Sequence, residues 1–260
     1  GDCKIQDLSS DLTKIIAAND NLGCGRACNL GVDWIYQQNQ QAVVWLINPD
    51  AYFAPANNNE VLSPVAIALN FFTHHPHISI LGTTVYDSTG KITAAGGKFT
   101  SGTAALETTD TLPQDVQLEY FSTDWVSGCS LLINLANFSE CPAFDPRYFL
   151  YYEDLDFCLR YGKQKYTIAV TPLLKVVHDI SSITDRNLWR KYQHITKSYL
   201  IHIEKHGNKY TFVITNLRMF LNTIRLLVFK PQQGCGKLIG MYNYWQERLQ
   251  SGSQAAKGQS

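Results

Sequence analysis

Short apolar runs alternate with segments of helical periodicity over the first 185 residues of the chain. Residues 42–47 (AVVWLI) are continuously apolar and are followed by Asn48-Pro49-Asp50, a pattern typical of a strand covered on both faces. Residues 26–38 and 60–72 repeat apolar side chains at helical spacing. Strands that alternate with helices predict an α/β domain with a mainly parallel sheet flanked by helices. The other predicted strands are residues 14–18, 78–84, 125–133 and 176–178, and a further helix is predicted for residues 155–161.

Two connecting segments have the composition of turns and loops. Residues 85–92 surround Asp87-Ser88-Thr89-Gly90 and predict a hairpin turn. Residues 96–115 are rich in Gly, Thr and Ser and predict a mobile loop. Because ligands of α/β sheets bind beyond the carboxyl ends of the strands, the segment Asn48–Asp50 is the first candidate for a site.

The chain changes character after residue 185. Residues 187–206 predict one helix, and residues 211–229 predict a second that is apolar except for a narrow polar stripe. Two arginines and an asparagine in that stripe argue against a helix that spans a membrane. The stripe consists of Thr211, Thr215, Arg218, Asn222 and Arg225.

Two interpretations of the helix over residues 211–229 remain open. In the first, the helix packs onto the front domain and its polar stripe faces water. In the second, it lies on an anionic membrane surface, which the nearby basic residues and Tyr242, Tyr244 and Trp245 favour. Residues 251–260 contain no core-forming side chain and predict a disordered tail. The sequence therefore predicts an α/β domain over residues 1–185, a basic amphipathic helical region over residues 186–250 and a disordered tail over residues 251–260.

Charge is balanced over the whole chain but not along it. Lys plus Arg and Asp plus Glu number 22 each, yet residues 1–185 carry a net charge of −10 and residues 186–248 one of +9. No global field of one sign attracts the chain to nucleic acid. With 45% hydrophobic and 17% charged residues, the chain is not of the disordered class. Seven cysteines without a CxxC pair favour reduced thiols in a cytoplasmic protein over a zinc site.

Three polar clusters stand where an α/β site needs them. Asp50 follows a strand and could supply oxygen to a divalent cation, although a carboxylate there is also a common turn cap. Glu153-Asp154 follows an aromatic run that could tune the basicity of a carboxylate, and the same pair could instead cap the next helix. His178 ends a short apolar strand, and a lone histidine is more often structural than a ligand.

Five ordered segments resemble the motifs of one protein family, the family 2 nucleotide-sugar glycosyltransferases. Residues 21–31 (NLGCGRACNLG) are similar to its N-x-G-x-x-x-A-x-N-x-G segment, and residues 46–50 (LINPD) resemble its acidic metal-binding motif in the form common among rhamnosyltransferase-like members. Residues 125–133 (WVSGCSLLI) are similar to its acceptor-side strand. Residues 144–160 (FDPRYFLYYEDLDFCLR) match its E-D-x-D block, and His178 matches a histidine after the next strand. The resemblance covers residues 14–185 and implies a GT-A type, Rossmann-like α/β fold.

The resemblance implies a role for each matching residue in an inverting transfer. Asp154 is the position of the catalytic base, and Glu153 beside it would orient the acceptor or the loop. Asp50 would hold a divalent cation, Mg or Mn, with His178 completing its shell or binding the diphosphate. Gly128 would let the backbone approach the substrate, and Trp125 would stack on a sugar face. The residues implied on the nucleotide and sugar-phosphate side are Asn21, Arg26, Asn29, Asn48 and Asp50.

The resemblance also implies partners and a departure from the family pattern. The expected partners are a nucleotide-sugar donor and a saccharide or lipid-linked acceptor in cell-surface polysaccharide synthesis, without nucleic acid. The expected location is cytoplasmic, with peripheral attachment to the inner face of the plasma membrane under the second interpretation above. Family members begin with two strands, the second ending in an acidic residue that contacts the base, and residues 1–13 (GDCKIQDLSSDLT) are too short and polar for either. We therefore expect a chain that is truncated, or whose nucleotide pocket is reduced.

Two other function classes follow from these observations. A relative without catalysis, which binds carbohydrate or nucleotide, is the alternative if part of the donor pocket is lost. A glycoside hydrolase needs two opposed carboxylates, and the sequence shows no clear partner that faces Asp154. Donor binding together with turnover separates the first class from the transferase.

Overall fold

The computed structural model describes residues 13–53, 62–113, 118–178 and 187–257. Its helices are α1 (Cys24–Gln38), α2 (Pro64–His74), α3 (Glu153–Lys163), α4 (Leu188–His206), α5 (Lys209–Phe229) and α6 (Pro231–Lys257). Its strands are β1 (Val43–Ile47), β2 (Ala51–Phe53), β3 (Ile78–Tyr86), β4 (Ile92–Ala94), β5 (Gly97–Thr100), β6 (Ala105–Thr108), β7 (Phe121–Ser122), β8 (Ser130–Asn134) and β9 (Thr167–His178).

The main sheet has the order β1-β8-β3-β9-β2, with β4 beside β3 and β7 beside β9. The predicted α/β architecture is confirmed, but the sheet is mixed rather than mainly parallel, because only the pairing of β3 with β9 is parallel. Since β8 runs antiparallel between β1 and β3, the strands β1, β3 and β9 all point the same way. The carboxyl ends of these three strands therefore lie at the same sheet edge as the amino end of β8.

Helices cover the sheet on both faces, as apolar residues on both sides of its central strands require. On one face Val32 of α1 and Phe157 of α3 pack with Ile80 and Ile133 of the sheet. On the other face Phe71 and Phe72 of α2 belong to a second buried cluster. The sequence predicts that strand β1 is covered on both faces. Instead it is the edge strand of the described sheet, and its Ile47 is 41% exposed.

Several predicted elements differ from those observed. Residues 14–18 form no strand, and β8 begins at Ser130, so residues 125–129 precede the strand instead of belonging to it. The predicted mobile loop over residues 96–115 contains the hairpin of β5 and β6, whose four paired positions run from Gly97–Thr108 to Thr100–Ala105. The predicted turn between β3 and β4 is confirmed, and Asp87 closes it by accepting hydrogen bonds from the backbone N–H groups of Thr89 and Lys91.

The last three described helices form a layer that packs onto the front of the domain. Leu200 of α4 shares a buried cluster with Tyr148, which precedes α3, and with Met219 of α5. Helix α6 lies close to α4 because Gly240 faces the backbone of Gln193, where a larger side chain would collide. The backbone of α6 continues to Lys257, so it enters the segment for which the sequence predicts disorder.

Candidate active site

Helix α3 begins after two residues in an unusual backbone conformation. Tyr151 and Tyr152 have φ angles of 69° and 68°, in the left-handed region that side chains other than glycine rarely adopt. Each such residue costs about 1–3 kcal/mol, so the surrounding structure must hold it in place. The ring of Tyr152 packs against the rings of Tyr199 and His202 of α4, at centroid distances of 5.7 and 5.3 Å. The consequence is a fixed direction for the first turn of α3, which carries Glu153 and Asp154.

Asp154 is held by two backbone donors. Its Oδ2 accepts a hydrogen bond from the N–H of Gly128 at 2.8 Å, and its Oδ1 accepts one from the N–H of Leu155, also at 2.8 Å. A side chain at Gly128 would stand 3.0 Å from the Cβ of Asp154, so glycine is what lets these two segments approach. Burial raises the pKa of Asp154, although both N–H groups favour its ionised form. The residue as a whole is of intermediate exposure.

Glu153 lacks the backbone hydrogen bonds from Gly128 and Leu155 that Asp154 accepts. It is buried, and its Oε2 has no hydrogen-bond partner within the described part of the chain. Burial, the charge of Asp154 and the thiol of Cys24 together raise the pKa of Glu153 to about 9. Glu153 is therefore protonated at neutral pH, and because the charge of Asp154 helps to raise its pKa, Asp154 is the first of the two to ionise.

Asp50 and His178 lie together at the same edge of the sheet. Strand β2 pairs with β9 in a register that sets Ala51 opposite His178, and this brings His178 Nε2 to 3.2 Å from Asp50 Oδ1. The buried thiol of Cys129 lies near both this pair and Asp154. Burial raises the pKa of Cys129 to about 11, and the charges of Asp154 and Asp50 raise it further. The three residues Asp50, His178 and Asp154, which the sequence singled out separately, thus surround one end of β8.

The donor set at Asp50 and His178 fits a cation that is shared with a substrate. One carboxylate oxygen and one imidazole nitrogen converge there, which are ligands that Mn accepts. Over the described ranges, no group of three or more His, Cys, Asp or Glu side chains could hold a metal ion. A cation at this edge would therefore need oxygens from a bound ligand to fill its shell.

The residues predicted for the nucleotide side have contacts within the protein. Asn21 accepts a hydrogen bond from the N–H of Gly23 at 3.0 Å, and Arg26 donates to the carbonyl of Pro146 at 2.9 Å. The Asn29 amide donates to the carbonyl of Phe144 at 2.9 Å and accepts from its N–H at 2.7 Å. The bonds of Arg26 and Asn29 connect α1 to the segment before α3, a structural role that the sequence did not predict. Their proposed part in ligand binding stays a prediction.

Asn48 and Trp125 have contrasting positions. Asn48 lies at the same edge as Asp50, and its N–H donates to the carbonyl of Cys129 at 2.9 Å. Trp125 is only 8% exposed and belongs to the core between the sheet and the helices. The stacking of Trp125 on a sugar stays a prediction, and its buried ring would have to become exposed to make that contact.

A buried ion cluster behind the site was missed by the sequence analysis. The fully buried Asp156 of α3 accepts bonds from Arg160 Nε at 2.7 Å and His206 Nε2 at 2.9 Å, and Lys205 Nζ lies 2.5 Å from its Oδ1. Lys163 Nζ stands 3.2 Å from His206 Nδ1, which is compatible with a proton on Nε2. The spacing of Asp156 and Arg160 by four residues was a local signal for their contact. No local signal points to Lys205 or His206, which come from the end of α4.

This cluster joins the helix of the candidate base to the C-terminal layer. Burial raises the pKa of Asp156, but the hydrogen bonds from His206, Lys205 and Arg160 outweigh burial and hold that pKa well below its usual range. Because the folded-state pKa is lowered, the stabilisation is present above the unfolded-state pKa of about 3.9 and is lost as the pH falls below it.

We expect Asp156→Asn to lower the free energy of unfolding by about 3–5 kcal/mol at neutral pH, because it leaves buried cationic groups without their carboxylate. Urea unfolding at a series of pH values measures this. The difference from the wild type should shrink as the pH falls below about 4, because Asp156 of the unfolded chain then takes up a proton while Asp156 of the folded protein stays ionised. Glu107→Gln, on the exposed strand β6, is the matched control and should change little. A loss that is small, or that is constant down to low pH, would contradict the role of the cluster.

Comparison with known proteins gives distant relatives of one kind. No protein-family model matches the chain. N-acetylglucosaminyl-diphospho-decaprenol L-rhamnosyltransferase of Mycobacterium tuberculosis is 24% identical over 194 residues, which are 67% of this chain and 61% of the relative. The chain thus spans about three fifths of that relative's length. Rhamnosyltransferase WbbL of Escherichia coli is 33% identical over 55 residues, 21% of each chain. A solved structure, GalNAc-T7 with UDP, GalNAc and Mn2+, is 15% identical with a TM-score of 0.48, over 72% of this chain and 35% of that one.

The matches in sequence and the order of the motifs point in one direction. Two curated rhamnosyltransferases match the chain, and the five motifs occur along it in the family order. The chain is similar to rhamnosyltransferases, and these matches support a rhamnosyltransferase-like glycosyltransferase of family 2.

Proposed function

We propose that the chain is an inverting glycosyltransferase that moves a sugar from a nucleotide-sugar donor to a saccharide or lipid-linked acceptor. The observation that carries this proposal is the carboxylate of Asp154, held by the N–H groups of Gly128 and Leu155 at the sheet edge that also carries Asp50 and His178. The names of the relatives support a rhamnosyl donor, and that of the mycobacterial relative supports a polyprenyl diphosphate-linked acceptor.

Asp154 is the group that would accept the proton of the acceptor hydroxyl. As the hydroxyl oxygen forms its bond to the anomeric carbon, the bond from that carbon to the diphosphate breaks and the nucleoside diphosphate leaves with the electron pair. A base for this step must be ionised before the reaction, and Asp154 ionises before Glu153, whose pKa of about 9 is raised in part by the charge of Asp154. Its raised pKa also brings Asp154 closer to the operating pH, where general bases are most efficient.

Asp50 and His178 would hold a divalent cation together with the diphosphate of the donor. The cation, when bound, offsets the negative charge that develops on the leaving group. The side chains would contribute one oxygen and one nitrogen ligand, and their contact at 3.2 Å would be exchanged for bonds to the ion. Asn48 would orient the diphosphate from the same edge.

A cavity at the start of α1 suits the nucleotide end of the donor. It has a volume of about 310 Å³, within the usual range for a small-molecule site. Its lining includes Asn21, Gly23 and Ala27 from the first of the family-like motifs. Gly23 has a φ of 78° and lies against the backbone of Phe149, so it fixes this turn beside the segment that leads to Glu153.

We expect Asp154→Asn to retain affinity for the nucleotide sugar and to lose about 10²–10⁴ in turnover, because the amide keeps the shape without accepting a proton. Glu153→Gln should lose much less, since glutamine resembles the protonated form that Glu153 already has. Turnover is measured with nucleoside diphosphate release, and affinity by calorimetry with a panel of nucleotide sugars. Near-normal turnover in Asp154→Asn beside an inactive Glu153→Gln would reverse the two roles, and two active variants would rule out both residues as the base.

We expect nucleoside diphosphate to bind more tightly with Mn or Mg than with chelator, and Asp50→Ala to remove that difference. Calorimetry with and without the cation measures both effects. Asp110→Ala, at an exposed residue after β6, is the control and should keep the cation dependence. Equal affinity of the wild type with cation and with chelator would remove the ion from the proposal.

A further inference from the structure

Helix α5 buries one side and leaves the opposite side uncovered. Its inner side packs on α6: Met219 and Thr223 are buried, and the Thr223 hydroxyl contacts Met241 Sδ at 3.8 Å. The backbone at Leu226 and Leu227 is so close to Gly234 of α6 that a side chain at that glycine would collide with it. This side of α5 therefore already has its partner within the chain.

The opposite side of α5 forms an apolar arc. At 3.6 residues per turn, its members fall on one continuous strip that faces away from Met219. They are between 48% and 72% exposed, which is unusual for so many large apolar side chains on one helix. The outer arc, as we call it, consists of Val213, Leu217, Phe220, Leu221, Ile224 and Val228.

Positive charge borders the outer arc. Arg218 and Arg225 lie seven residues apart on one side of it and are exposed, and no described carboxylate pairs with either. The two acidic residues between positions 186 and 248 are already engaged, since Glu204 pairs with Arg248 at 3.1 Å and Glu247 with Lys197 at 2.6 Å. The surplus of +9 over residues 186–248 is thus not offset within that segment.

We propose that the outer arc of α5 docks on an anionic lipid membrane, with α5 parallel to the surface. The apolar side chains enter the boundary of headgroups and acyl chains, and Arg218 and Arg225 reach the lipid phosphates. Anionic lipid complements the positive charge of this segment, which an apolar partner protein would not. This inference does not depend on the proposed transferase activity.

A helix that spans the membrane fits these contacts less well. Along the described residues, α5 is the one helix that is long and apolar enough to cross a bilayer. Crossing would separate its inner side from α6 and place Arg218 in the hydrocarbon, at a cost of about 2.5–3.5 kcal/mol for that side chain alone. The parallel orientation keeps the contacts with α6 and leaves both arginines at the headgroups.

The test is flotation of the whole protein with vesicles of phosphatidylcholine, alone or mixed with phosphatidylglycerol, at low and high salt. We expect flotation with the anionic vesicles only, and less of it at high salt, because exposed charges are screened. Leu217→Asp should weaken binding about tenfold or more, and Arg218→Gln and Arg225→Gln about fivefold each. Leu69→Asp on α2 is the matched control, since Leu69 and Leu217 are both 58% exposed, and it should bind as the wild type does.

Three results would overturn the proposal. Equal flotation with neutral and anionic vesicles would remove the role of charge. Unchanged binding of Leu217→Asp, with an unfolding midpoint like that of the wild type, would remove the outer arc. A dimer that Leu217→Asp dissociates in sedimentation, together with no vesicle binding by the wild type, would assign the outer arc to a second copy of the chain instead.

Discussion

The packing of α3 against the C-terminal helices depends on one interaction, the pairing of the Asp156 carboxylate with three basic side chains. The carboxylate is fully buried and is held by Arg160 from its own helix and by Lys205 and His206 from the end of α4. A buried charge is tolerated only where it is paired and hydrogen-bonded, so α3 and α4 cannot separate without exposing or stranding it. The position of α3 is therefore fixed from behind, by the layer of C-terminal helices, while its first turn faces the sheet edge.

That first turn gives two adjacent carboxyl groups different properties. Glu153 is buried and keeps its proton at neutral pH, whereas Asp154 accepts hydrogen bonds from two backbone N–H groups and ionises first. The left-handed backbone of Tyr151 and Tyr152 sets the direction of both, and strain of this kind is common at functional sites. The same helical layer that fixes α3 also exposes the outer arc of α5.

The sequence predicted much of the site but little of what supports it. Asp50, His178 and Asp154 could be selected because each lies next to a strand or helix end within a recognisable motif, and the structure brings them to one edge. The burial of Trp125 and the hairpin of β5 and β6 could not be predicted, because packing against distant segments decides both. The antiparallel direction of β8 could not be predicted, because it depends on the strands with which β8 pairs. A short apolar run such as residues 130–134 is compatible with either direction. Lys205 and His206 reach Asp156 across about fifty positions, a contact without a local pattern.

The central claim is that Glu153 keeps its proton at neutral pH and that Asp154 ionises before it. Carbon-13 NMR titration of the side-chain carboxyl groups, assigned with Asp154→Asn and Glu153→Gln, measures this directly. The account predicts that the Glu153 resonance titrates with a pKa of about 9 and that the Asp154 resonance titrates at a lower pH. A Glu153 carboxylate that is ionised at pH 7 beside a protonated Asp154 would contradict it.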